Sequence, residues 1–111
     1  MNIETSYQKN VVLFKLNGRI DLEQISLLES TFGEHLDKGY TRFILNMVDV
    51  RDISSSGLGK ILSMFKRLEL SNGRLALSDL SAVSEYVLDL AGLADVFPTY
   101  RSDEQALASF G

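Results

Sequence analysis

Residues 42–62 read RFILNMVDVRDISSSGLGKIL, and this stretch decides the fold. Its first seven residues are nearly all apolar, which is typical of a parallel strand that is buried on both faces near the middle of a sheet. Apolar residues then recur at steps of three and four, which predicts a helix with Leu58, Ile61, Leu62, Phe65 and Leu68 on one stripe. Three serines at residues 54–56 separate the two patterns.

The segments before this stretch predict a hairpin and a first helix. Residues 3–7 and 11–16 have strand patterns, with a turn at residues 8–10 and the second strand bounded by Asn17-Gly18. Asp21 is a suitable N-cap for the helix that follows, because its carboxylate can accept from the free N–H groups of the first turn. The buried face of that helix is expected to carry Leu22, Ile25, Leu28, Phe32 and Leu36.

The segments after it predict two more strand–helix pairs. Residues 74–78 have a strand pattern, and Ser81 can cap a third helix that buries Val83, Val87, Leu88 and Leu90. A last short strand is expected to begin at Val96-Phe97, where Pro98 cuts it. Ser102 and Gln105 form a capping box that opens a terminal helix. The order β-β-α-β-α-β-α-β-α predicts an α/β fold with a mostly parallel, mixed sheet in one domain over residues 1–111.

Two loops are expected to lie together at one edge of this sheet. The serine run follows the most buried strand, and Gly18-Arg19-Ile20-Asp21 follows the neighbouring strand along the chain. Because the carboxyl ends of parallel strands meet at the same edge, and sites of such sheets lie there, these loops form the candidate site.

Composition excludes several classes of function. The net charge is −4, from 15 acidic and 11 basic residues, which disfavours nucleic-acid binding because Lys and Arg supply most of that affinity. The absence of cysteine excludes disulfides, thiol catalysis and thiolate metal sites. No segment predicts a signal peptide or membrane insertion, so a cytoplasmic protein is expected.

The serine run does not fit two familiar catalytic motifs. A phosphate-binding P-loop needs glycine where Ser54 stands and Ser or Thr where Ile61 stands. A hydrolase elbow needs glycine in place of Ile53, and it needs a base. The single histidine, His35, is expected on the surface near a helix C-terminus, favourably placed against the helix dipole. We therefore expect no catalytic residue, metal site or cofactor.

At least one of the three serines is expected to cap the second helix, whose first N–H groups need partners. The remaining hydroxyls, with Gly57 and Gly59, are expected to leave an exposed and uncrowded backbone at a positive dipole end. Such a place suits an anion, or a phosphoryl group that adds about −1.5 to −2 charges and folds back onto the helix N–H groups. The residues alone leave both interpretations open, pure capping and phosphorylation.

The stretch DISSSGLGKIL, with the apolar strand before it and GRID near the first helix, resembles the STAS domain of bacterial anti-sigma factor antagonists. LAGL at residues 90–93 also resembles the end of the family's third helix. The resemblance extends from Ile3 to about Ala108.

This resemblance implies a regulatory binding protein without enzymatic activity. Its unphosphorylated form would bind an anti-sigma factor, which is a serine kinase, and so release the sigma factor. Phosphorylation at the second helix would end that binding, and a phosphatase of the PP2C type would reset it. The position two before Gly57 makes Ser55 the expected phosphorylation site, with Ser54 and Ser56 as alternatives.

The same resemblance places the partner contacts at Asp21, Ser54, Ser56, Gly57 and Leu58. Asp21 corresponds to the family's acidic residue beside the acceptor serine. Ser54 departs from the family pattern, since many kinase-regulated members carry Asp there. The alternative is an unmodified STAS scaffold subunit of a signalling or lipid-transport complex.

Overall fold

The computed structural model describes all 111 residues as five strands and four helices. The strands are β1 (Asn2–Gln8), β2 (Val11–Ile20), β3 (Arg42–Ile53), β4 (Arg74–Ser78) and β5 (Thr99–Tyr100). The helices are α1 (Ile25–Asp37), α2 (Ser55–Leu70), α3 (Ala82–Leu90) and α4 (Asp103–Ala108). This confirms the predicted order of elements.

The five strands form one sheet in the order β1-β2-β3-β4-β5. β1 is antiparallel to β2, and the other three pairings are parallel, so the sheet is mixed as predicted. β3 lies in the middle, and its residues 43–47 are all buried. The apolar run of β3 is therefore explained by helices that cover both faces of the sheet.

The helices divide unequally between the two faces. On one face α1, α2 and α3 pack a core that includes Phe32, Ile61 and Leu88 against strand residues such as Phe14 and Leu45. On the other face α4 supplies the cover, and its buried Ala106, with Phe110 just beyond it, lies against Leu13 and Ile44. None of the four helices is both long enough and apolar enough to cross a bilayer.

Both strands that lead to the candidate site are longer than the sequence predicts. β2 does not end before Asn17-Gly18 but continues to Ile20, and Gly18 adopts a φ of +108° within the strand. Glycine tolerates that conformation without a Cβ penalty. β3 likewise continues past Val48, and the register with β2 shifts because Arg51 of β3 is an extra residue between the partners of Gly18 and Arg19. The Asn-Gly pair therefore lies within a strand and does not close a turn.

Three expectations about helix faces were wrong. Leu22 is 69% exposed, because α1 begins at Ile25 and Leu22 lies in the turn before it. Leu90 is 71% exposed at the last residue of α3. His35 is buried, because its Nδ1 bonds to the Thr31 carbonyl and its Nε2 to the Tyr7 hydroxyl, each at 2.7 Å.

The last strand also differs from its prediction. It comprises Thr99–Tyr100 and begins after Pro98, not at Val96-Phe97. The Pro98 carbonyl accepts from the Leu77 N–H at 2.8 Å. Proline is tolerated at this position because it only has to accept a hydrogen bond and has no N–H to donate. Phe97 is buried and contacts Phe65. Phe97 is therefore apolar because it packs in the core, and it does not belong to a strand.

Candidate functional site

The serine run lies where β3 ends and α2 begins, and Ser54 is its capping residue. Ser54 has an extended backbone, and its Oγ accepts from the Gly57 N–H at 3.0 Å. Its carbonyl accepts from the Leu58 N–H at 2.9 Å. The first bond satisfies one of the N–H groups that a helix start leaves without partners, and the second is the first regular backbone bond of the helix. The predicted cap is therefore present, and Ser54 provides it.

Ser54 also joins the two loops of the candidate site. Its N–H donates to the Ile20 carbonyl at 2.9 Å, and its hydroxyl approaches the same oxygen at 3.4 Å. Because Ile20 ends β2 and is followed at once by Asp21, the two loops meet at one edge, as predicted. We call this edge the serine rim, formed by residues 20–22 and 54–56.

Ser55 and Ser56 have a different environment from Ser54. They are the first two residues of α2, both are exposed, and neither hydroxyl takes part in the cap. Their backbone N–H groups also lack an acceptor within the protein, since the cap bonds begin at Gly57. The run thus contains one structural serine and two serines whose hydroxyls are free and open to an approaching protein.

Gly57 and Gly59 serve different purposes. A Cβ built on Gly57 would lie 2.2 Å from the Ile20 carbonyl oxygen, so the close approach of β2 to α2 requires glycine there. A Cβ on Gly59 would meet nothing within 4 Å. The expectation that both glycines leave an uncrowded backbone is correct for Gly59 and wrong for Gly57, which is buried.

The remaining expected partner residues divide between surface and core. The Asp21 carboxylate accepts from the Gln24 N–H at 2.9 Å, so it caps the turn before α1 and not α1 itself. Leu58 is 7% exposed and belongs to the core. With Gly57 also buried, the expected site residues whose side chains reach solvent are the exposed Ser55 and Ser56 and the partly exposed Asp21 and Ser54.

Leu22 is a rim residue that the sequence pattern assigns to the core. Its spacing from Ile25 and Leu28 fits a helix face, so only the later start of α1 reveals it as a surface residue. Its large apolar side chain lies in the open beside Asp21, so covering it with another protein would remove apolar surface from water.

The model of the STAS domain family matches residues 2–106. The chain belongs to the STAS domain family. An anti-sigma F factor antagonist of Paenibacillus polymyxa is 26% identical over 108 residues, covering 96% of this chain and 92% of that protein. BtrV of Bordetella bronchiseptica, assigned to the anti-sigma factor antagonists, is 32% identical, covering 86% of this chain and 82% of its own length.

Solved STAS structures have the same architecture. The crystal structure of TM1081 from Thermotoga maritima, which is assigned to the anti-sigma factor antagonists, superposes with a TM-score of 0.89 at 27% identity, covering 96% of this chain and 92% of the other. The phosphorylated form of SpoIIAA, a Bacillus cell fate determinant, gives a TM-score of 0.77 at 21% identity, covering 99% and 100%. At that identity, the likeness to SpoIIAA concerns the fold alone.

Proposed function

We propose that this STAS domain is an anti-sigma factor antagonist that binds an anti-sigma factor serine kinase through the serine rim. Relatives named for that function cover most of the chain, and the chain covers most of them. In this proposal the protein has no catalytic activity of its own. Its unphosphorylated form occupies the anti-sigma factor and so frees the sigma factor.

We propose Ser55 as the residue whose phosphorylation ends this binding. The observation that supports the assignment is that the adjacent serines differ in their hydrogen bonds. Ser54 is committed to the cap and to Ile20, while Ser55 is exposed with an unbonded hydroxyl. A kinase needs a hydroxyl oxygen that is accessible and can give up its hydrogen bonds. For Ser54 this would cost about 1 kcal/mol, because its hydroxyl would leave the cap.

Phosphorylation at this position would change the rim without unfolding α2. A phosphoryl group brings about −1.5 to −2 charges, and the positive end of a 16-residue helix stabilises such a charge. The free N–H groups of Ser55 and Ser56 can donate to its oxygens. A partner that docks against Leu22 and Asp21 would then meet added bulk and added negative charge beside an existing carboxylate.

The experiment is a phosphorylation reaction with ATP and an anti-sigma factor kinase from the same organism, followed by intact-mass measurement. The parent and Ser56→Ala are expected to gain one phosphate, and Ser55→Ala to gain none. Ser54→Ala should still be phosphorylated, because it retains the Ser55 hydroxyl. Uptake by Ser55→Ala would refute the site. A parent that binds the kinase without ever gaining phosphate would favour the unmodified scaffold.

A phosphatase completes the proposed cycle. Because the phosphoryl group would sit on the exposed first turn of α2, a phosphatase of the PP2C type can reach it without any unfolding of the domain. Phosphorylated protein incubated with such a phosphatase is expected to return to the parent mass and to regain kinase binding.

A further inference from the structure

The acidic excess of this chain is confined to one segment. Residues 75–100 contain no Lys or Arg and four acidic residues, Asp79, Glu85, Asp89 and Asp95. The rest of the chain therefore has 11 acidic and 11 basic residues, and the net charge of −4 belongs to this segment. The segment contains β4 from Leu75 onward, α3, and the chain from there through β5.

None of these four carboxylates forms an ion pair. The two ion pairs of the structure join Lys15 to Asp49 and Lys60 to Glu29, both outside the segment. Arg101 lines the same surface cavity as Asp79 and Glu85 without an ion pair to either. The four carboxylates of the segment are thus without an ion-pair partner within the protein.

The solvent face of α3 combines this charge with exposed apolar side chains. Tyr86 is 63% exposed and Leu90 is 71% exposed, and they are four residues apart on the same side of the helix. Glu85 and Asp89 repeat that spacing on the adjacent side, and both are exposed. Val96, in the loop that follows, is 40% exposed. We call residues 85, 86, 89 and 90 the α3 face.

The C-terminal part of the α3 face is unfavourable for the helix on its own. Glu85 lies in the first turn, where the helix dipole favours a carboxylate, but Asp89 lies in the last turn, where it favours a cation, and the two like charges at i and i+4 repel each other. The last turn contains no basic residue. Nothing in the packing of α3 uses these side chains, since the buried residues of the helix are Ser84 and Leu88.

We propose that the α3 face is a second interaction surface, which binds a basic amphipathic helix of a protein partner. Lys or Arg side chains would pair with Glu85 and Asp89 while apolar residues of the same helix cover Tyr86 and Leu90. This partner is distinct from the kinase of the proposed function, because the α3 face shares no residue with the serine rim.

The charge of the face decides among the possible occupants. A second copy docked by twofold symmetry would bring carboxylates against carboxylates. Anionic lipid headgroups and nucleic-acid phosphates would be repelled for the same reason. A cationic protein segment satisfies both the charged and the apolar residues, and its binding should weaken as salt rises.

The test uses a synthetic Lys/Leu peptide of about five helical turns with all Leu residues on one face, titrated into the full chain and followed by amide NMR spectra. Shift changes are expected in α3 and residues 91–96. Glu85→Gln/Asp89→Asn should weaken binding by about threefold to tenfold, and Tyr86→Ala/Leu90→Ala should weaken it as well. The control is Glu34→Gln/Asp37→Asn, which removes two exposed acids from α1 and should bind like the parent.

Two outcomes would overturn the proposal. One is equal peptide binding by the α3 variants and the α1 control, or shift changes spread over acidic residues of every element. The other is loss of phosphorylation in Glu85→Gln/Asp89→Asn, which is expected to gain phosphate at the parent rate; such a loss would make the α3 face part of the surface that the kinase contacts. If the parent binds the peptide but is not phosphorylated, only the proposed function is refuted.

Discussion

Gly57 and Gly59 lie two residues apart on α2, yet a methyl group should have opposite effects at the two positions. A Cβ at position 57 would lie 2.2 Å from the Ile20 carbonyl oxygen and 2.8 Å from its carbon. These atoms belong to the backbone, and the oxygen already accepts from the Ser54 N–H. The clash can therefore be relieved only by moving the end of β2 away from α2.

The net cost follows from three contributions. Overpacking of this kind costs about 1–3 kcal/mol, and loss of the Ile20–Ser54 hydrogen bond adds about 1 kcal/mol. The better helix propensity of alanine returns about 1 kcal/mol. Gly57→Ala should thus lower the free energy of unfolding by about 1–3 kcal/mol. Gly59→Ala keeps only the propensity gain and should raise it by about 0.5–1 kcal/mol.

Urea unfolding measures both variants against the parent. With a slope of about 1–3 kcal/mol per molar urea, the midpoints of Gly57→Ala and Gly59→Ala should differ by about 0.5–4 M, with the parent between them. A Gly57→Ala midpoint at or above that of the parent would refute the argument that glycine is needed for the contact between β2 and α2.

Three further predictions use the same assay. Ser54→Ala should lower the free energy of unfolding by about 1 kcal/mol through loss of the cap, whereas Ser55→Ala should change it by less than about 0.5 kcal/mol. Equal effects would contradict the conclusion that Ser54 alone of the two caps α2. Leu28→Ala should cost about 2–5 kcal/mol because Leu28 is fully buried, whereas Leu22→Ala should cost less than about 0.5 kcal/mol; a large effect at Leu22 would contradict its place on the rim. Asp103→Ala should cost about 2–3 kcal/mol, because its carboxylate accepts from two buried polar side chains of β3 and β4, and a neutral result would show that those groups find other partners.

The order of elements and the central strand could be predicted because they depend on periodicity. The apolar run of β3 reflects burial on both faces of the strand. The three- and four-residue steps of α2 reflect burial of one stripe of the helix. The meeting of the two loops followed from the parallel direction of β2 and β3. Each of these features depends on many residues, so one residue that departs from the pattern does not change the prediction.

The errors occurred where one residue has two possible uses. Gly18 could end a strand or lie within it, and only the pairing with β3 shows that β2 continues through it. The spacing of Leu22 fits the buried face of α1, but α1 begins only at Ile25. His35 is buried with its Nδ1 bonded to the Thr31 carbonyl one turn earlier and its Nε2 bonded to the Tyr7 hydroxyl. The contact with Tyr7, which belongs to a distant segment, is not visible in the local sequence.

The serine run shows the same limit within the site. Sequence predicts that a serine caps α2, but three adjacent hydroxyls are equivalent until the backbone is known. The extended conformation of Ser54 and its bonds to Ile20 and Gly57 separate it from Ser55 and Ser56. The role of Gly57 was also hidden, since its close neighbour Ile20 is 37 residues earlier in the chain.

In the proposed function, a phosphoryl group on Ser55 releases the kinase partner from the serine rim. Isothermal titration of the anti-sigma factor with the unphosphorylated chain, and with the chain phosphorylated at Ser55, measures this effect. Phosphorylation is expected to weaken binding by about tenfold or more, equivalent to about 1.4 kcal/mol. Equal affinity of the two forms would refute the phosphorylation switch.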